Sequence, residues 1–66
     1  MKPVVSDNVA FYDYDDSTGT LFVEFKNGLL YEYNDVPAEL AAEFDIPHPW
    51  HRVYERLKQL SYRRIR

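Results

Sequence analysis

The chain has 66 residues, a net charge of −3 and no cysteine, which indicates one small domain without disulfides or thiolate metal sites. A domain of this size buries only about 60% of the surface that its unfolded chain exposes. Its aromatic side chains, six Tyr, four Phe and one Trp, are therefore expected to supply much of the core. There is no 18-residue apolar run and no apolar leader after Met1, so we expect a cytoplasmic protein that makes no membrane contact.

The charges are divided unevenly along the chain. Residues 1–45 carry ten acidic and two basic side chains, and residues 46–66 carry one acidic and six basic side chains. The two segments are therefore about −8 and +5. Either the basic segment binds an anionic partner, or the two segments pack together and neutralise each other at their edges.

Three strands are predicted in the first half of the chain. Residues 9–14 are rich in β-formers, and residues 15–19 form a turn in which Gly19 can adopt positive φ. Residues 20–26 and 29–34 then alternate in polarity. Their large apolar members, each set on one face of its strand, are Leu21, Val23 and Phe25, and Leu29, Tyr31 and Tyr33.

The turn between the last two strands decides their register. A two-residue loop at Asn27 and Gly28 would put large apolar groups on both faces of the hairpin. A three-residue loop, with Gly28 in the left-handed conformation, pairs Val23 with Tyr31 and gathers the large side chains on one face. We therefore predict the three-residue loop, with Tyr31 and Tyr33 on the core face as buried aromatic residues. An exposed base-stacking pair is the alternative role for these two side chains.

Two helices are predicted after the strands. Residues 35–44 form a short helix, with Asp35 as its cap and Pro37 in its first turn. Residues 49–61 form a longer amphipathic helix. Its apolar stripe consists of Trp50, Val53, Tyr54, Leu57 and Leu60. The fold class is therefore α+β, a three-stranded antiparallel meander followed by two helices packed on the sheet (β-β-β-α-α).

Several short motifs resemble the KTSC domain, a family found at the C-terminus of some lysyl-tRNA synthetases and as single-domain bacterial proteins. The segments that carry the resemblance are Ser6-Asp7-Asn8-Val9, Tyr14-Asp15, Leu21 to Gly28, Tyr31-Glu32-Tyr33 and Asp35-Val36-Pro37. The resemblance is strongest over residues 5–44, and the predicted helix over 49–61 departs from the family pattern. It implies one KTSC-like domain over residues 1–66 and, through the synthetase association, binding to RNA or tRNA.

The basic segment supplies the candidate nucleic-acid site. Arginine side chains match phosphate geometry, and three of them fall on one stripe of the predicted second helix. The candidate residues are Arg52, Arg56, Lys58, Arg63, Arg64 and Arg66. Cations near a helix C-terminus are also favourable for local reasons, so a plain solvated face is the alternative.

The second face of the sheet supplies a different hypothesis. Phe11, Phe22 and Leu30 are expected there beside Asp13, Glu24 and Glu32. These carboxylates repel phosphate, so this acid-rimmed apolar face fits a protein partner or self-association better than RNA. Coverage of the face by the second helix is the alternative.

Catalytic and metal-binding patterns are not found in the sequence. There is no Gly-rich phosphate loop and no Ser–His–acid arrangement, so we expect no enzymatic activity, cofactor or small-molecule substrate. Asp45, His48 and His51 are separated by two prolines and match no familiar zinc spacing. The sequence thus predicts a non-catalytic binding module with two competing surfaces.

Overall fold

The computed structural model describes residues 1–66 and shows an antiparallel sheet with helices on one face. The sheet has five strands in the order of the chain, β1 to β5. They span Lys2–Pro3, Val9–Asp15, Thr20–Phe25, Leu30–Tyr33 and Tyr62–Arg64. The fold is α+β as predicted, but the three-stranded sheet of the prediction is wrong, because a short strand is added at each edge.

The register of the central hairpin is confirmed. Val23 pairs with Tyr31 and Leu21 with Tyr33. The Phe25 amide donates to the Leu29 carbonyl at 2.8 Å, and Gly28 has a φ of 91°, which is the conformation that the three-residue loop requires. All the large apolar side chains of this hairpin except Phe22 and Leu30 are thereby brought to the helix side of the sheet.

The helical segments are shorter than predicted. α1 covers only Ala38–Ala41 and continues as a 3₁₀ turn over Ala42–Asp45. Asp35 does not cap it, since Asp35 adopts a φ of 57° and Pro37 occupies the cap position without a side-chain hydrogen bond. α2 covers Trp50–Leu57 rather than residues 49–61.

The core lies between the sheet and the helices. Its buried members come from β2, β3 and β4 on one side and from α1, the 3₁₀ turn and α2 on the other, with one more from the loop between β4 and α1. These residues are Val9, Tyr12, Leu21, Val23, Tyr33, Val36, Leu40, Ala41, Phe44, Val53 and Leu57. We call the sheet face that carries Tyr12, Leu21 and Tyr33 the inner face.

The opposite face of the sheet, the outer face, carries the alternate residues of each strand. Neither helix packs on it, because the buried residues of both belong to the inner-face core. Phe11 is 40% exposed, and Phe22 and Leu30 are half-buried. Phe11, Phe22 and Leu30 therefore lie on the face away from the helices, as expected from the alternation of the strands, and the second helix does not cover them.

Candidate functional site

The predicted basic helix face does not exist as one continuous stripe. Arg52 and Arg56 lie on α2, but Arg63 and Arg64 belong to β5 and are separated from the helix by a turn. The helical periodicity of the sequence extends past Leu57, yet pairing with the free edge of β4 takes these residues into the sheet. Placing Arg63 on the helix face was therefore wrong.

Four of the six basic side chains of residues 46–66 are paired with carboxylates of the acidic segment, residues 1–45. Four such pairs join residues 46–66 to residues 1–45, and all are exposed to some degree. The pairs and their nitrogen–oxygen distances are Arg52–Glu43 (2.8 Å), Arg56–Glu39 (2.8 Å), Arg63–Glu32 (3.5 Å) and Arg66–Glu24 (2.8 Å). The charge asymmetry of the sequence is thus largely neutralised at the contacts between the two segments.

Two basic side chains differ from these four. Lys58 pairs at 2.8 Å with Glu55 of its own helix, in the i,i+3 arrangement. This hydrogen bond raises the pKa of Lys58 above its ordinary value, so the side chain is fully cationic at neutral pH. Arg64 has no carboxylate oxygen within 4.0 Å of its guanidinium.

The outer face carries the residues predicted for it. Phe22 lies opposite Glu32, and Leu30 lies opposite Glu24. Both carboxylates are engaged by arginines from the C-terminal segment, Glu32 by Arg63 and Glu24 by Arg66. The apolar patch is therefore bordered by ion pairs, with Asp13 on β2 as an additional carboxylate opposite Phe22.

A groove lined by aromatic rings opens on the other side of the sheet, between α2 and the β4–β5 pair. Its volume is about 320 Å³. Six of its nine lining residues are aromatic: Phe25, Tyr31, Tyr33, Trp50, Tyr54 and Tyr62. Asn27, Leu29 and Lys58 complete it. We call this feature the aromatic groove.

The strands and the helix bring these rings together from distant parts of the chain. Tyr31 and Tyr33 share the inner face of β4, and Tyr62 pairs with Tyr33 across the sheet. The ring centroids of Tyr31 and Tyr62 lie 6.0 Å apart with planes 28° from parallel. Tyr33 and Tyr62 are 5.6 Å apart. These rings form the sheet side of the groove.

The helix side of the groove is formed by one edge of α2. The rings of Trp50 and Phe25 are in edge-to-face contact, with their centroids 4.9 Å apart. Tyr54 lies one helical turn after Trp50, and the centroids of these two rings are 5.6 Å apart. The Lys58 ammonium lies 5.5 Å from the centre of the Tyr54 ring. Residues four apart on a helix point the same way, so these three side chains form one row along the groove.

The groove is lined without any carboxylate. Lys58 is the one charged residue among its nine lining residues. Tyr33 at its base is buried, and this burial, with smaller effects of Tyr31 and Tyr62, raises the pKa of Tyr33 to about 12. The Tyr33 hydroxyl is therefore a neutral hydrogen-bonding group at physiological pH.

The prediction that Tyr31 and Tyr33 face the core is confirmed, with a difference between them. Tyr33 is buried, whereas Tyr31 is only half-buried and exposes part of its ring in the groove. The groove is not among the predicted surfaces. The sequence signal for it is the i,i+4 spacing of Trp50, Tyr54 and Lys58, of which Trp50 and Tyr54 also fit the apolar stripe of a core-facing helix.

No three His, Cys, Asp or Glu side chains lie close enough together to hold a metal ion. Asp45 instead accepts a hydrogen bond from the Tyr12 hydroxyl. No helix in the structure has the length and apolar character needed to cross a bilayer.

A family model, the KTSC domain, matches residues 5–46, which is well over half of the chain. The chain belongs to the KTSC domain family. A comparison with curated proteins finds no match. The match covers β2, β3, β4, α1 and the 3₁₀ turn, so the KTSC part supplies the sheet side of the aromatic groove through Phe25, Tyr31 and Tyr33.

The other parts of the groove lie beyond the matched region. Trp50 and Tyr54 are on α2, Lys58 is the residue that directly follows α2, and Tyr62 is on β5, all after residue 46. The groove of this KTSC domain is therefore a joint product of the family framework and of a C-terminal segment that the family model does not describe.

Proposed function

We propose that this KTSC domain is a non-catalytic module that binds RNA, with bases stacking in the aromatic groove. The observation that carries the proposal is a groove of six aromatic residues with a lysine and no carboxylate among its lining residues. Aromatic side chains hold unstacked bases at about 1–3 kcal/mol per base. The occurrence of the family in lysyl-tRNA synthetases favours tRNA as the RNA.

The charge of the groove favours an anionic aromatic ligand over a cationic one. An aromatic cage also suits quaternary ammonium groups, which bind over the ring faces. Here the Lys58 ammonium already lies over Tyr54 and would repel a second cation. A nucleotide, with a π-face for stacking and a phosphate for Lys58, matches both features of the groove.

The charges around Arg52 and Arg56 disfavour their face of α2 as an RNA-binding surface. Both guanidiniums already bond to carboxylates, at 2.8 Å in each case. Phosphate binding there would bring a polyanion beside Glu43 and Glu39. The groove is thus the better supported site, and we do not include Arg52 and Arg56 in the proposed binding surface.

The single tryptophan of the chain lines the groove, so its fluorescence reports directly on stacking. We expect tRNA and short single-stranded RNA to quench Trp50 at low salt. Tyr54→Ala should weaken binding at least fivefold, given about 1 kcal/mol or more per stacked base. Phe11→Ala, which removes an exposed ring from the outer face, is the matched control and should bind as the parent does.

Absence of quenching and of any RNA binding at about 50 mM salt, where phosphate contacts are strong, would overturn the proposal. A pull-down from lysate with and without nuclease gives an independent check. Recovery of proteins that survives nuclease but is lost in Phe22→Asp would instead support a protein partner on the outer face, which neither helix covers.

A further inference from the structure

We infer that the aromatic groove takes a short unpaired segment of nucleic acid whose two flanking phosphates bind Lys58 and Arg64. This inference rests on the proposed function and specifies the form of its ligand. It follows from the positions of the two cations, from the pairing state of the other arginines, and from the size of the groove.

Lys58 lies on the helix side of the groove. Its ammonium is 5.5 Å from the centre of the Tyr54 ring, so a base stacked on Tyr54 would place its phosphate within reach. The ion pair with Glu55 joins two exposed side chains of one helix, 46% and 70% exposed. Such pairs contribute little to stability, and a phosphate can replace the carboxylate.

Arg64 lies on the strand side. It follows Tyr62 by two residues and therefore points to the same face of β5. Across the sheet it pairs with Tyr31, whose ring lines the groove. The guanidinium is exposed and has no carboxylate within 4.0 Å, unlike the guanidiniums of the other four arginines. It is the arginine that is free to bind phosphate without first breaking an ion pair.

The groove has the dimensions of a small-ligand site. Its volume of about 320 Å³ lies near the lower end of the range of roughly 300–1,000 Å³ for such clefts. It has room for unstacked bases, not for a helix, and the bases of a duplex are not available to its rings. Lys58 lines the groove, and Arg64 lies outside the lining, opposite Tyr31 on the neighbouring strand, so a ligand that contacts both cations is a segment of a few nucleotides.

The salt dependence of the binding constant gives the number of phosphate groups that the protein contacts. For single strands, the slope of log K against log salt is about −0.7 per phosphate, so two contacts predict a slope of about −1.4. With oligouridylate as the probe, Lys58→Gln and Arg64→Gln should each reduce the slope by about 0.7. Arg52→Gln, in the same helix as Lys58, is the control and should leave the slope unchanged.

Glu55, whose carboxylate competes with phosphate for Lys58, provides a test in which binding should become stronger. Glu55→Gln frees Lys58 and should strengthen oligouridylate binding about twofold, in line with the small energy of an exposed i,i+3 pair. Glu39→Gln, which frees Arg56 instead, should have no effect. Oligothymidylate should bind comparably, because stacking and phosphate contacts do not depend on the 2′-hydroxyl, and duplex RNA should not compete.

The results of these binding experiments distinguish a failure of the Lys58 and Arg64 contacts from a failure of the proposed RNA-binding function. If the parent protein binds no nucleic acid, the proposed function fails. If RNA binds but Arg52→Gln lowers the slope while Lys58→Gln and Arg64→Gln do not, the function stands and the assigned contacts are wrong. Equal competition by duplex RNA would also overturn the inference.

Discussion

The fold changes the proton affinity of two tyrosines, Tyr12 and Tyr33. Burial raises the pKa of Tyr12 to about 12, with a further contribution from its hydrogen bond to Asp45. Burial also raises the pKa of Tyr33 to about 12. In the unfolded chain both hydroxyls ionise near the ordinary value of 10. Above that pH the unfolded state loses protons that the native state retains.

We therefore expect the domain to lose stability as the pH rises from about 10 to about 12. Stability contributed by a raised pKa is complete below the unfolded value and disappears as pH approaches the folded value. Urea unfolding over this range gives the measurement. Tyr33→Phe should flatten the decline, whereas Phe11→Leu, which changes an exposed residue without a hydroxyl, should not. Identical curves for the parent and Tyr33→Phe would contradict the assignment.

The backbone conformation of the two glycines was predictable from the sequence. Gly19 and Gly28 were both placed at positions needing positive φ, and they have values of 72° and 91°. Asp35 and His48 also adopt positive φ, at 57° and 56°. Their conformations were not predicted, because positive φ is uncommon for non-glycine residues and the residue type alone does not show which Asp or His adopts it.

At the scale of elements, β5 is the main departure from the prediction. Residues 58–61 continue the apolar and basic periodicity of α2, so local pattern alone extends the helix. The edge of β4 has unpaired backbone groups that need partners, and the last residues supply them. The Asn34 amide donates to the Ser61 carbonyl at 2.9 Å, and the Leu30 amide donates to the Arg66 carbonyl at 3.1 Å.

Hydrogen exchange tests this pairing. The amides of Leu30 and Asn34 should be protected in NMR exchange experiments, because β5 and its flanking residues are their only acceptors. Tyr62→Ala, which removes the ring that stacks on Tyr31 and Tyr33, should speed the exchange of both amides. The Phe25 amide, bonded to Leu29 within the hairpin, should keep its protection and is the internal control. Rapid exchange of Asn34 in the parent protein would contradict the five-stranded sheet.

At the scale of the whole molecule, the ion pairs join the acidic and basic segments. Arg66 bonds to Glu24, 42 residues earlier in the chain, and Arg63 bonds to Glu32. Exposed pairs each contribute only about 0.2–1 kcal/mol. Their combined effect is to neutralise four of the six cations of residues 46–66, and Lys58 and Arg64 are the two that remain outside these four pairs.

A charge swap measures one of these pairs. Arg66→Glu should destabilise the domain by about 0.5–1 kcal/mol, since Glu24 then faces a like charge. Adding Glu24→Arg should restore most of this loss, because the pair is re-formed with its signs exchanged. Both effects should shrink at high salt. Urea denaturation at low and high salt gives the values, and an equal loss in the single and double variants would contradict the pairing.

The hairpin, its three-residue turn and its inner and outer faces were predictable because they depend on local rules. Alternation places Leu21, Val23 and Tyr31 on one side of a strand, and a slip of one residue would expose all of them. The family was likewise recognisable from short motifs within residues 5–44, in agreement with the match over residues 5–46.

The aromatic groove and the pairing of the arginines depended on tertiary structure. The groove joins Phe25, Tyr31, Trp50 and Tyr62, whose separation along the chain gives no local periodicity. Likewise, nothing near Arg56 or Arg66 in sequence shows that Glu39 or Glu24 lies beside them. Sequence pattern determines which face a side chain points to, because that follows from the local backbone. Which distant side chains meet on that face is decided only when the sheet and α2 pack together.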